Sequence, residues 1–188
     1  MIDTNLESLL GYNYKILKLF LDDPKRELNL AEAEKKLEIS KMTIYRALER
    51  MVELGILTSY SDNYRRFYKL TDSPIILPLR LLRNVDSPLI SELMKKIRSR
   101  SSLILLYGSR ANGTDRKDSD WDILILSDEI NIVELNSIIS KLESKYNCQI
   151  NIKLYTSIEF SKIKSERTPF YLEVMANKLI LKGELNET

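Results

Sequence analysis

The 188-residue sequence contains no histidine and only one cysteine, Cys148. A single cysteine excludes a disulfide within the chain, and the two shortages together leave no zinc-finger-like set of ligands. The absence of histidine also excludes nucleophile–base systems of the Ser–His or Cys–His type. Carboxylates and bound metal are therefore the chemical groups left for any catalysis, and Cys148 is expected to be a small apolar residue of the core.

Long hydrophobic runs and a strong net charge are also lacking. No apolar run reaches the length of a membrane span, and the opening residues MIDTN do not resemble a secretory signal, so we expect a cytoplasmic protein without a membrane partner. The formal net charge is only +2, which means that nucleic-acid binding has to be argued from local patches. A hydrophobic fraction of 44% over this length is enough for two small globular domains.

Residues 1–70 carry helical patterns followed by a hairpin pattern. Periodic apolar positions predict three helices and two strands: helices over 5–21, 30–37 and 41–54, and strands over 56–60 and 64–70. Asn29 with Glu32 forms a capping box for the second helix, Ser40 caps the third, and Gly55 ends it. Three helices and a hairpin in this order predict a winged helix-turn-helix domain.

The third helix and the hairpin are locally basic. Between residues 41 and 69 there are six basic and three acidic residues. The stretch SKMTIYRALERMVELGIL, followed by YRRFYKL, closely resembles the winged-helix domains of prokaryotic transcription regulators. The resemblance implies double-stranded DNA as a partner, with groove and phosphate contacts from one exposed face. The candidate DNA-binding residues are Thr43, Arg46 and Arg50 on the helix and Arg65, Arg66 and Lys69 in the hairpin. The alternatives are a solvated face or a winged helix used for protein contact.

Residues 71–87 are predicted to connect two domains. Pro74 and Pro78 fall within this connection, and Pro88 follows it directly. The residues between 75 and 82 are too apolar for a free linker, so they either pack against one of the domains or form part of an interface between two copies. The second alternative corresponds to a homodimer.

The stretch 103–126, LILLYGSRANGTDRKDSDWDILIL, organises the remaining sequence. Residues 103–107 form a short continuous apolar run, as a strand buried on both faces would. Gly108 allows a sharp turn, and Ser109 presents a hydroxyl where a helix could begin. The free N–H groups and positive dipole end of such a helix suit a phosphate.

Two carboxylates open the second strand of this stretch. Asp120 and Asp122 stand two positions apart, so their side chains project from the same face. Neighbouring carboxylates repel each other unless a cation lies between them, and oxygen ligands suit Mg²⁺ or Mn²⁺. A phosphate cradle facing such a pair predicts phosphoryl or nucleotidyl transfer.

Gly108-Ser109, ten intervening residues and Asp120-Trp121-Asp122 resemble the signature of the DNA polymerase beta-type nucleotidyltransferase superfamily in its minimal form. Arg110, Gly113 and Ser119 extend the match, which spans about residues 88–184. The resemblance implies that Gly108, Ser109 and Arg110 bind the phosphates of a nucleoside triphosphate. It also implies that Asp120 and Asp122 are the catalytic residues and hold Mg²⁺ or Mn²⁺. The alternative is an ordinary strand–helix–strand turn with a solvated acidic loop.

The rest of the domain 88–188 suits an α+β palm with a small mixed sheet backed by helices. A helix is predicted over 132–146, a half-buried strand over 149–155, helices over 157–165 and 169–177, and a last strand over 178–182. Trp121 is expected in the core, and Asp115 and Asp118 are expected in a solvated loop.

The family places a third aspartate on the strand beside the Asp-x-Asp strand, where it helps to bind metal and to deprotonate the attacking hydroxyl. The matching strand, QINIKLY, offers no carboxylate, and Asn151 is the best match, as a neutral third metal ligand. Lys153 on the same face adds a positive charge that weakens metal binding. Nucleotide binding is thus more firmly indicated than turnover.

The sequence therefore predicts a DNA-binding protein with a nucleotidyltransferase-like domain that binds nucleoside triphosphate and divalent metal. One hypothesis is nucleotidyl transfer to an acceptor that the sequence does not identify, and the prediction leans towards this enzyme. The other is a winged-helix transcription regulator whose degenerate domain senses a nucleotide or serves as an interaction surface. A toxin–antitoxin role is a third possibility, which no residue pattern selects.

Overall fold

The computed structural model describes residues 6–185. The chain divides between Asp86 and Ser87 into two compact units. A winged helix-turn-helix unit is followed by a small mixed sheet backed by helices, which confirms the predicted α+β fold class. Within the described range, no helix is both long enough and apolar enough to cross a lipid bilayer.

The first unit packs helices against a small antiparallel sheet. Its elements are α1 (Leu6–Leu21), β1 (Leu28–Asn29), α2 (Leu30–Leu37), α3 (Lys41–Glu53), β2 (Leu57–Asp62), β3 (Arg65–Leu70) and α4 (Ile76–Val85). The strands pair in the order β1–β3–β2. Phe20, Ile44 and Leu48 lie fully buried at the centre of this unit, so α1 and α3 meet around one apolar core.

Local capping fixes the helix ends that the sequence predicts. The Asn29 carboxamide accepts a hydrogen bond from the Glu32 N–H at 3.1 Å, and the Glu32 carboxylate accepts one from the Asn29 N–H at 3.2 Å. The Ser40 hydroxyl accepts a hydrogen bond from the Thr43 N–H at 3.3 Å. Both predicted caps are therefore confirmed. Gly11, which has a φ of 61°, interrupts α1 in a way that the apolar periodicity did not predict.

The hairpin of β2 and β3 is the wing of the winged helix-turn-helix. Its turn residues, Asn63 and Tyr64, have φ angles of 45° and 62°. Two successive left-handed residues match the twist of a tight hairpin, which is why a two-residue turn joins these strands. The turn leaves Tyr64 fully exposed at the tip of the wing.

Helix α4 occupies most of the segment that the sequence predicts as a connection. It belongs to the first unit, where Arg83 is buried with its guanidinium 3.4 Å from the Asp22 carboxylate. The carboxylate of Asp86 accepts a hydrogen bond from the Leu6 N–H at 3.0 Å. The first unit thus extends beyond residue 70, and residues 71–87 are not a free linker.

The second unit is built on a four-stranded mixed sheet. Its elements are α5 (Pro88–Ile97), a 3₁₀ turn (Arg98–Arg100), β4 (Leu103–Tyr107), α6 (Gly108–Ala111), β5 (Trp121–Leu126), α7 (Ile132–Tyr146), β6 (Ile150–Tyr155), α8 (Ser157–Ser165), α9 (Pro169–Ala176) and β7 (Lys178–Lys182). The strand order is β6–β5–β4–β7. Only β5 and β6 pair in parallel among these described strands, which gives the mixed sheet of the prediction.

Helices cover both faces of this sheet. On one face Ile104 and Ile123 pack with α5 and α7, and on the other Leu105 and Leu124 pack with α8 and α9. Every residue of β4 is buried, as its unbroken apolar run predicts. Trp121 is buried in the first of these two clusters, which confirms its predicted place in the core.

Candidate active site

One row of residues crosses all four strands near the end of β4. Tyr107 on β4 lies opposite Asp122 on β5 and opposite Lys178 on β7. Asp122 in turn lies opposite Asn151 on β6. Directly opposed residues share a face of a sheet, so the row places Asn151, Asp122, Tyr107 and Lys178 on the α8–α9 side.

Asn151 joins the two aspartates. Its side-chain nitrogen donates hydrogen bonds to the Asp120 carboxylate at 3.3 Å and to the Asp122 carboxylate at 3.0 Å. Its side-chain oxygen accepts a hydrogen bond from the Gln149 carboxamide at 3.3 Å. The donor end of the Asn151 amide therefore faces the carboxylate pair, and Gln149 holds it in that orientation.

Gly108 combines a left-handed backbone conformation with a close approach to Asp122. Its φ is 70°, and a Cβ at this position would lie 2.5 Å from Oδ2 of Asp122. Any side chain would therefore fill the space that the carboxylate occupies. The glycine of the Gly-Ser pair serves both the turn and the carboxylate beside it.

The predicted phosphate cradle is a single helical turn. Helix α6 contains only four residues, and Ser109 is half-buried in it. The Ser109 carbonyl oxygen accepts a hydrogen bond from the Thr114 N–H at 3.0 Å, which closes the turn towards the loop. Gly108 adjoins Asp122 and Ser109 follows it in the turn, while phosphate binding by these two residues stays a prediction.

Arg110, which the motif predicts as a phosphate contact, is buried against its own loop. Its side chain is only 5% exposed, and its N–H groups donate to the carbonyl oxygens of Ser119 and Asp120 and to the Asp115 carboxylate. Its guanidinium carbon lies 4.1 Å from the centre of the Trp121 ring. These contacts hold the guanidinium against the backbone that precedes β5, and phosphate binding by Arg110 stays a prediction.

Asp115 is buried, contrary to its predicted place in a solvated loop. The prediction placed it in a solvated loop, but it is 2% exposed and its carboxylate lies 3.2 Å from the Arg110 guanidinium. A charged side chain is buried at such a position only when it is paired. The alternation of charged residues in the loop gave no signal that one of them would turn inward. Asp118 is exposed, as predicted.

Tyr107 remains neutral within the row. Burial, followed by the nearby negative charges of Asp122 and Glu173, raises the pKa of Tyr107 to about 12. Its hydroxyl therefore carries its proton near neutral pH and adds no charge beside the aspartates. Lys178, at the other end of the row, donates a hydrogen bond from Nζ to the Met175 carbonyl oxygen at 2.9 Å.

The donor set fits one divalent cation. Asp120 and Asp122 offer hard carboxylate oxygens on one face, and the space beside Gly108 keeps one of those carboxylates open. Across residues 6–185 no group of three or more acidic, histidine or cysteine side chains is placed to hold a metal. The third position carries the Asn151 amide, and Lys153 on the same strand is exposed.

The candidate DNA-binding residues divide by their contacts. Arg46 and Arg65 are exposed, and neither side chain forms an ion pair with another residue of the range 6–185. The other four have partners within the first unit. Thr43 shares a hydrogen bond with Ser40, Arg50 pairs with Glu53, Arg66 pairs with Glu49, and Lys69 pairs with Glu27.

A groove of about 570 Å³ lies between α2, α3 and the wing. Basic and aromatic side chains line it, among them Lys35, Lys41, Tyr45, Tyr64 and Arg65. This combination suits a sugar–phosphate backbone, which presents negative charge and apolar sugar faces. Lys35 and Lys41 were not among the predicted DNA-binding residues, because only the fold brings them beside the wing.

The arrangement of the second unit is that of a minimal nucleotidyltransferase fold, with a Gly-Ser turn opposite an Asp-x-Asp strand. Residues 89–184 match the family model described as polymerase beta, nucleotidyltransferase. Because this match covers half of the chain, the chain belongs to that family.

Solved structures give weaker likenesses. A toxin–antitoxin structure with AMP-PNP is 22% identical, with 50% of this chain and 73% of that chain covered and a TM-score of 0.38. MepR, a transcription regulator of Staphylococcus aureus, is 13% identical, with 77% and 84% covered and a TM-score of 0.42. The AdcR repressor of Streptococcus pyogenes is 20% identical, with 48% and 72% covered and a TM-score of 0.37. No curated protein matches the chain.

Proposed function

We propose that the second unit binds a nucleoside triphosphate together with one divalent cation, and that it acts as a nucleotide-responsive module of a DNA-binding regulator. Asp120 and Asp122 would hold Mg²⁺ or Mn²⁺, which when bound neutralises the triphosphate. Gly108 and Ser109 would face the phosphates. Membership of the nucleotidyltransferase family supports the nucleotide as ligand.

The orientation of the Asn151 amide carries the preference for binding over turnover. Transfer requires that an acceptor hydroxyl lose its proton as it attacks the α-phosphorus and pyrophosphate leaves. An amide nitrogen that donates to both aspartates accepts no proton and supplies no charge to a second cation. The site therefore retains the groups for binding and lacks one group for transfer.

A Mn²⁺ titration followed by electron paramagnetic resonance, with a non-hydrolysable nucleotide present, tests the cation site. The wild-type chain should bind one Mn²⁺, and Asp120→Asn and Asp122→Asn should each abolish this binding. Asn151→Asp replaces one nitrogen by oxygen at constant shape and should raise the stoichiometry to two. A wild-type chain that binds nucleotide equally well with and without Mn²⁺ would refute the proposed site.

Nucleotidyl transfer is the second candidate, and family membership is the observation that favours it. Incubation with each α-labelled nucleoside triphosphate measures it directly. We expect no transferred label from the wild-type chain and a gain of label with Asn151→Asp. If the wild-type chain transfers label and Asp122→Asn does not, the protein is an enzyme. The conclusion that the site binds nucleotide without turnover would then be wrong.

We propose that the first unit binds double-stranded DNA through α3 and the wing. The exposed Arg46 and Arg65 and the basic lining of the groove support this proposal. Fluorescence anisotropy with a random-sequence duplex tests it over a series of salt concentrations. Arg46→Ala should weaken binding and reduce the salt slope by about 1. Lys36→Ala, on the same unit but outside the groove, is the matched control and should change neither quantity.

Nucleotide and DNA binding should be coupled if the two units form one regulator. Coupling between two sites is reciprocal, so a nucleotide that alters duplex affinity must have its own affinity altered by DNA in the same ratio. We propose a cytoplasmic location, because a nucleoside triphosphate and DNA would both be available there. A homodimer through the exposed apolar residues of α4 remains a prediction, which sedimentation of the full chain would test.

A further inference from the structure

Arg110 is the most heavily engaged side chain beside the two carboxylates. Its Nε donates to the Ser119 carbonyl oxygen at 3.2 Å and to the Asp120 carbonyl oxygen at 3.1 Å, and one terminal nitrogen donates to the Ser119 carbonyl oxygen at 2.6 Å. The other terminal nitrogen lies 3.2 Å from the Asp115 carboxylate. The guanidinium plane rests on the Trp121 ring, at 4.1 Å.

These contacts act on the backbone that precedes the Asp-x-Asp strand. Strand β5 begins at Trp121, whose N–H donates to the Gln149 carbonyl oxygen at 2.9 Å. Asp120 lies one residue before the strand, outside its ladder of paired residues. The Arg110 guanidinium therefore supplies the hydrogen bonds that a neighbouring strand would otherwise donate to the carbonyl oxygens of Ser119 and Asp120.

We infer that Arg110 is a positioning residue, which fixes Asp120 against Asp122 through the backbone, and that it is not a phosphate ligand. The inference rests on the proposed cation site. The carbonyl oxygen of Asp120 accepts a hydrogen bond from Arg110, and the carboxylate of the same residue points to the proposed cation site. The fork of the guanidinium matches two successive carbonyl oxygens, which a lysine ammonium on a flexible stem cannot reproduce.

Asp115 forms a buried ion pair with Arg110. Its buried carboxylate balances the charge of Arg110 and orients the guanidinium, and the pair lies inside the turn of the loop that joins α6 to β5. Loss of the Asp115 charge should loosen the guanidinium without removing it. Asp115 should therefore act on the cation site through Arg110, more weakly than Arg110 itself.

The test compares Arg110→Lys with Arg116→Lys, a matched change at an exposed position of the same loop. Mn²⁺ affinity is measured without nucleotide, nucleotide affinity is measured at saturating Mn²⁺, and acrylamide quenching follows the single tryptophan, Trp121. Arg110→Lys should weaken Mn²⁺ binding about 10- to 100-fold, as loss of groups that orient metal ligands does. It should also raise the quenching of Trp121, with nucleotide affinity at saturating Mn²⁺ unchanged, while Arg116→Lys matches the wild-type chain.

Unchanged Mn²⁺ affinity with weakened nucleotide binding would overturn the inference and make Arg110 a phosphate ligand. If Arg110→Lys does not fold, Asp115→Asn serves instead, and the same pattern at smaller size is expected. Unaltered Mn²⁺ affinity and unaltered quenching in that variant would also overturn the inference. A wild-type chain that binds no Mn²⁺ refutes the proposed function. In that case hydrogen exchange at Ser119–Asp122 in the metal-free chain tests the positioning role by itself. Exchange should be faster in Arg110→Lys if the inference holds.

Discussion

Replacing Gly108 by alanine tests two structural constraints on this residue: its left-handed backbone conformation and its short distance from Asp122. The added Cβ would lie 2.5 Å from the Oδ2 atom of Asp122, well inside the 3.4 Å at which ordinary contact begins. The carboxylate is then expected to move by about 0.9 Å, because Gly108 directly follows Tyr107, whose backbone is paired with strands on both sides. Such a retreat strains the hydrogen bond from Asn151, which is 3.0 Å long.

The backbone part of the effect can be estimated independently. An alanine with left-handed φ costs about 1–2 kcal/mol relative to glycine, and the loss of unfolded-state entropy returns about 0.4–1 kcal/mol. The net cost is about 1 kcal/mol of unfolding free energy. Gly55 offers a matched control, since its φ is 71° and nothing lies within 4 Å of a Cβ there.

Urea denaturation and Mn²⁺ titration of both variants measure the two parts separately. Gly55→Ala should lose about 1 kcal/mol in its own unit and keep the Mn²⁺ affinity of the wild-type chain. Gly108→Ala should lose at least as much stability and bind Mn²⁺ about 10- to 100-fold more weakly. Equal Mn²⁺ affinity in Gly108→Ala and the wild-type chain would refute the claim that Gly108 makes room for a metal-binding carboxylate.

Three further predictions concern single side chains. In the wild-type chain Tyr107 should cost about 1.4 kcal/mol of stability between pH 8 and pH 11, because its pKa of about 12 keeps the folded side chain neutral while the unfolded chain ionises from pH 10 upwards. Tyr107→Phe should abolish this loss, as measured by urea denaturation followed by Trp121 fluorescence at the two pH values. Equal pH dependence of the two proteins would contradict the prediction. Ser40→Ala should destabilise the first unit by about 1 kcal/mol through loss of a helix cap, detected by circular dichroism, and an unchanged unfolding curve would show that the cap contributes nothing. Glu27→Gln should tighten duplex binding, because Lys69 loses its partner at 3.2 Å and becomes available to phosphate; weaker binding would mean that Glu27 orients Lys69 for DNA.

Local patterns in the sequence predict most of the fold. The unbroken apolar run of β4 requires burial on both faces, and the alternation of apolar and polar residues in β6 requires burial on one. The caps at Asn29 and Ser40 depend on neighbours within three residues, so they can be read directly from the chain. The opposition of Asp122 and Asn151 follows from the family pattern, and the strand register agrees with it.

Structural features that depend on contacts between residues far apart in the chain could not be predicted from the sequence. Pro78 was predicted to lie in a packed connection, but a helix there was not predicted: it lies in the first turn of α4, where its missing N–H has no partner to lose. Arg110 has the motif position of a phosphate contact, and only the folded loop shows that Asp115 and two carbonyl oxygens engage it. Likewise the composition gives no sign that one of the loop aspartates is buried.

The charges of Asp120 and Asp122 give Asn151 a role beyond the loss of a third carboxylate ligand. Two adjacent carboxylates without a cation repel each other, and the two N–H bonds from Asn151 reduce that repulsion in the metal-free chain. An aspartate at the same position would add a third negative charge, which bound cations would have to offset. In the proposed cation site, Asn151 would therefore favour a folded arrangement both with and without the cation. A module that responds to the nucleotide concentration needs that property, because its empty state has to be as well formed as its occupied one.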